Sequence, residues 1–146
     1  MMTPLRHPIS VLLCAFALLS PLSAEAGELI VIVNAESGVS HLTRSQVINI
    51  FLGRNREFPN GRPAVPVDMP AGNPTKALFY RVLVNRDLDQ MAAYWSRFVF
   101  AGSTAPPLQA KSEQDVIKFV STHPDAVGYL EGSLSDNRVK AVLTLK

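Results

Sequence analysis

A single cysteine, Cys14, occurs among the 146 residues, and it lies within the first 26. From Gly27 onward the chain has no thiol for a disulfide, a zinc thiolate or a cysteine nucleophile. Only two histidines follow, His41 and His123, far apart and without H-x-x-x-H spacing, so no metal site is expected and no cofactor. An excess of one charge is lacking too. The formal net charge is +2, and the basic residues are spread along the sequence rather than clustered. That balance gives no reason to expect a nucleic-acid partner. There is no G-x-S-x-G elbow, and Ser37 or Ser40 with His41 is only local proximity. Asp87 and Asp89 look like a helix start and Asp115 like part of a helix cap, so paired carboxylates are not persuasive either. No catalytic set emerges, and the chain is not expected to be an enzyme.

What is present begins with a leader. Arg6 and His7 open it, Ile9 to Leu22 is mostly apolar, and Ala24-Glu25-Ala26 is a small-x-small cleavage site. Residues 1–26 thus read as a signal peptide, and 27–146 as one exported, periplasmic domain without stable membrane insertion after cleavage. Hydrophobic residues make up 47% of the chain and charged residues 18%, as in a protein that buries a core. The domain has about 120 residues, enough for such a core without disulfides.

The apolar run Leu29 to Val33 is short and β-branched, as expected of a strand buried on both faces. Thr43-Arg44-Ser45-Gln46 is a capping-box pattern leading into a short helix that Gly53 ends. Pro63 to Asp68 returns to a strand. A helix is expected from Pro74 to near Asn85, and another after Asp87. In the latter Leu88, Met91, Ala92, Trp95, Phe98 and Val99 recur at three- and four-residue steps, which predicts one buried face. Ala101 to Ala110 reads as a loop. Ser112-Glu113-Gln114-Asp115 opens a fourth helix, and strands follow at Ala126 to Leu130 and Val139 to Leu145. Interleaved strands and helices make the class α/β.

The stretch with most chemistry joins the strand ending at Asp68 to the helix at Pro74. Asn73 is a good N-cap and Pro74 fits the first helical position. Such a turn can hold an anion, because backbone N–H groups and the helix dipole point the same way. It can equally well do no more than cap the helix.

Several segments together resemble the phosphate-binding proteins of ABC transporters. Val39 to Arg54 looks like that family's "L-T-x-x-Q-(apolar)-x-x-I-F-x-G-K" stretch. Val65 to Val67, then Gly72-Asn73-Pro74-Thr75 and Phe79-Tyr80, stand where it carries strand, R-x-x-G-S-G-T and helix. Asp125-Ala126-Val127-Gly128-Tyr129 resembles its "P-G-A-I-G-Y" strand. The resemblance implies a single lobe of a type II periplasmic-binding-protein fold, a mixed sheet flanked by helices. It also implies that Gly72, Asn73 and Thr75 bind phosphate or a similar small anion, and Lys76 and Arg54 are expected to add positive charge to that site. Two departures weaken that grip. Met69 stands at the family's arginine, and Pro74 replaces a glycine and removes a backbone donor. The alternative expectation is a periplasmic interaction or sensory module that keeps the lobe, contacts an envelope protein and binds no phosphate; a homodimer is a further alternative, since a second copy could complete the cleft. An anion site needs the turn open and lined by basic groups. An interaction module should expose an apolar patch instead.

Overall fold

A computed structural model describes residues 27–146. The leader expected at 1–26 lies outside the described residues. Leu29–Asn34 forms β1, and all six of its residues are buried. The Thr43 capping box is formed as the sequence indicates, with Thr43 accepting from the Gln46 amide and Gln46 reaching back to the Thr43 amide. It opens α1, Arg44–Phe51. Strand β2, Val65–Asp68, leads through the turn to α2, Pro74–Val84, which ends on Asn85 in the left-handed conformation. Asp87 and Gln90 make a second reciprocal box at the start of α3, Leu88–Ala101.

The segment expected to be a plain loop contains a two-residue strand, β3, Leu108–Gln109, and α3 runs on to Ala101. Two prolines precede β3, and no periodicity can show in two residues, so pairing with β2 alone defines it. Ser112 caps α4, Glu113–Thr122, and β4, Ala126–Glu131, and β5, Val139–Leu145, complete the chain.

The strands form one mixed sheet in the order β3-β2-β4-β1-β5. β1 runs antiparallel to both β4 and β5, whereas β2 is parallel to β3 and to β4. The carboxyl ends of β2 and β4 therefore lie side by side. In open α/β sheets that end of parallel strands is where ligands usually sit.

Gly128 in β4 fixes how close α4 comes to the sheet. A Cβ there would lie 2.7 Å from Val116 Cγ1 and 3.2 Å from Val120 Cγ2. Its neighbours Val127 and Tyr129 point to the other face, where Tyr129 stacks on Phe79 of α2 at 3.7 Å and meets Phe51 of α1 edge-on. So α4 covers one face of the sheet, and α1 and α2 cover the other. Gly128→Val should cost roughly 1–3 kcal/mol by overpacking, read as a lower denaturant midpoint at unchanged m-value.

One expectation fails. Of the residues meant to form a buried face on α3, only Met91 is buried. Leu88, Trp95 and Phe98 are half-buried, Ala92 is exposed, and Val99 is 60% exposed. The periodicity was amphipathic, but amphipathicity says only that a face seeks cover. Here α3 packs on α2 with Met91 as its one buried residue, while Val99 and Phe100 at its carboxyl end stay exposed.

Candidate functional site

The turn between β2 and α2 is built as a cap. The Asn73 side-chain oxygen accepts from the Thr75 amide at 2.9 Å and from the Lys76 amide at 3.2 Å. Ala77 N–H bonds the Asn73 carbonyl at 3.2 Å, and Pro74 has no N–H. Every first-turn donor of α2 is thus either absent or engaged within the chain. Gly72 takes φ +74, the left-handed region where glycine is unstrained, and a Cβ there would meet nothing within 4 Å. Asn73→Ala should therefore cost about 1 kcal/mol through the lost cap, measurable as a drop in unfolding free energy.

The two side chains expected to grip an anion are also engaged. Thr75 is buried and its hydroxyl donates to Glu131 at the end of β4, at 3.3 Å. Lys76 places its ammonium 3.6 Å from the Asp68 carboxylate at the end of β2. The parallel pairing of β2 with β4 brings both carboxylates to this corner. Of the four residues expected at the site, Thr75 and Lys76 are drawn inward, while Asn73 serves the helix and Gly72 the turn. Arg54 and Arg97 do not join them. Arg97 lines a separate groove on α3, and Arg54 is exposed elsewhere.

Asp68 organises this corner. It is 5% exposed and accepts from the Tyr80 hydroxyl at 2.7 Å, the Tyr129 hydroxyl, and the Met69 amide at 3.0 Å. Both tyrosines belong to the aromatic cluster of Phe51, Phe79, Tyr80 and Tyr129, so each buries an apolar ring and aims its polar tip at one carboxylate. Burial raises both phenols far above the ordinary tyrosine range, and the Asp68 charge pushes the same way. Sequence reading missed this network. Its one available signal was an aspartate closing the otherwise apolar run Ala64 to Val67.

Met69, at the position where the resemblance places arginine, is fully buried in the core. It leaves the corner without a guanidinium. A recess of about 130 Å³ opens beside it, lined among others by Asp68, Lys76, Tyr80, Trp95 and Gln109. Lys76 and the Glu131 and Asp68 carboxylates give this corner one positive and two negative side chains, the reverse of a built anion site.

No protein-family model matches the chain, and no curated protein matches it in sequence. Solved structures do match in fold. One, from Clostridium perfringens, is assigned as a phosphate ABC transporter substrate-binding protein with bound phosphate. It aligns at TM-score 0.63 and 21% identity over 80% of this chain and 45% of its own. An ABC-type phosphate transport receptor from Vibrio cholerae aligns at TM-score 0.61 and 21% identity, over 80% and 46%. PstS from Borrelia burgdorferi aligns at 0.54 and 16%, over 72% and 41%. The chain spans less than half the length of each of these three structures. The five-stranded mixed sheet and four helices among the described residues thus make an α/β fold like one part of the phosphate-binding proteins of ABC transporters, binding proteins rather than enzymes.

Proposed function

We propose that this chain is an exported domain of the phosphate-binding-protein fold that works by docking onto another envelope protein rather than by capturing free phosphate. The observation that carries this reading is the internal engagement of the turn: Asn73, Asp68 and Glu131 take up the groups that a phosphate would need. An incoming anion would have to displace a cap and face two carboxylates. The docking half of the reading is supported by α3, where Val99 is 60% and Phe100 94% exposed, next to half-buried Trp95 and Phe98. Large side chains left together on one surface mark an interaction site.

The test replaces Phe100 with p-benzoylphenylalanine in the full-length protein and irradiates it in its native host. The reading predicts one discrete protein adduct from position 100 and none from exposed Thr144 on β5. Equal labelling from both positions, or none from position 100, would contradict it.

A second reading retains a weak site for a phosphate-like anion at Gly72, Asn73, Thr75 and Lys76. What favours it is the 3.6 Å Lys76–Asp68 contact, loose for an ion pair, beside the small recess. Under this reading, phosphate draws the Lys76 ammonium away from Asp68.

A further inference from the structure

A groove of about 510 Å³ lies along α3 and is lined by Arg86, Gln90, Ala93, Tyr94, Arg97 and Phe98. Gln90, Ala93, Tyr94 and Arg97 recur at helical spacing on one stripe of α3, Arg86 reaches the groove from the link before the Asp87 cap, and Ala93 is the small residue between the longer side chains. No carboxylate lines it. Among the described residues, neither Arg86 nor Arg97 has a carboxylate within ion-pair distance. Arg86 is held in place, because its guanidinium lies 5.4 Å over the Tyr94 ring and the Tyr94 hydroxyl donates to the Leu52 carbonyl at 2.7 Å. Phe98 lines the groove, and Phe100, 94% exposed, follows Ala93 and Arg97 at helical spacing on the same stripe.

The surroundings have the same sign. Residues 44–111, which include α1 to α3, carry nine Lys and Arg against four Asp and Glu, whereas the rest of the chain from 27 on carries four against seven. We propose that the Arg86–Arg97 groove receives an acidic segment of the docking partner, with a carboxylate between the two guanidiniums and an apolar side chain against Phe98 and Phe100. This rests on the docking reading above and adds the partner's chemistry.

Three other occupants fit less well. Free phosphate needs convergent donors, and the backbone N–H groups in mid-helix are already bonded within α3. An anionic lipid surface would meet exposed Asp87 and Asp89 at the start of the same helix. A second copy joined two-fold through this face would bring two copies of the same carboxylate-free, arginine-bearing groove together.

The experiment repeats the position-100 cross-link in Arg97→Glu and in Arg86→Glu/Arg97→Glu, with Lys118→Glu on exposed α4 as control. Arg97 makes no side-chain hydrogen bond or ion pair among the described residues, so the single variant tests the groove even if the double variant folds poorly. The expected result is at least a tenfold loss of adduct in both groove variants, none in Lys118→Glu, and a cross-linked partner peptide rich in Asp or Glu. An adduct indifferent to the groove variants would overturn the groove proposal and leave the docking reading standing. Equal loss in Lys118→Glu, a neutral or basic partner peptide, or an adduct to lipid or to a second copy would overturn it as well. No adduct from the unmodified groove would remove the docking reading itself.

Discussion

Asp68→Ala should destabilise the fold by about 3–5 kcal/mol, more than a typical substitution at an exposed position. The carboxylate is 5% exposed and closes four contacts at once: two tyrosine hydroxyls, the Met69 amide and the Lys76 ammonium. Truncation strands the hydroxyls inside an aromatic cluster, where an unpaired polar group costs roughly 1–3 kcal/mol each. It also leaves Lys76, whose side chain is 18% exposed, without its partner. Asp68→Asn keeps an acceptor but loses the charge, so its cost should be intermediate. Chemical denaturation of the three proteins reads this order directly. Equal stability of Asp68→Ala and the parent would mean that the corner is not held by this network.

The same network makes alkaline pH the condition under which the fold fails. Tyr80 and Tyr129 have their folded-state pKa values raised, first by burial and then by the Asp68 charge. A group raised on folding contributes stability that is fully present below its unfolded value, about 10 for tyrosine, and is lost as pH climbs toward the folded value. Above pH 10 the unfolded chain releases these protons and the folded chain keeps them. Stability should then fall by about 1.4 kcal/mol per pH unit for each tyrosine. Urea unfolding between pH 9 and 12 should show a break near 10, with a slope that Tyr129→Phe roughly halves. A flat profile through pH 11 would contradict the buried hydroxyls.

Much of the fold was legible because local chemistry and tertiary packing agree in it. The Thr43–Gln46 box, the Asn73-Pro74 helix start and the apolar run of β1 each dictate one local structure, and each forms. β3 was not legible, since two residues paired across a sheet carry no period of their own. On α3 the spacing predicts an amphipathic helix, which forms, and a buried face, of which only Met91 is fully covered, because spacing shows that a face is apolar but not what covers it. The turn is the instructive case. Asn73, Thr75 and Lys76 are donor-bearing residues at a helix N-terminus, and the sequence reads equally well as an anion site or a cap. Which of the two forms depends on Asp68 and Glu131, brought there by the parallel pairing of β2 with β4, a contact far apart in sequence. The same holds for Arg86 and Arg97, eleven positions apart yet on one groove.

The most direct test of the central claim is calorimetric titration of the purified protein with phosphate, with sulfate as control. The account predicts no saturable heat up to millimolar phosphate, since the turn's donors are already engaged by the chain's own side chains. Saturable binding specific for phosphate, lost in Thr75→Ala, would contradict it and establish the anion site instead.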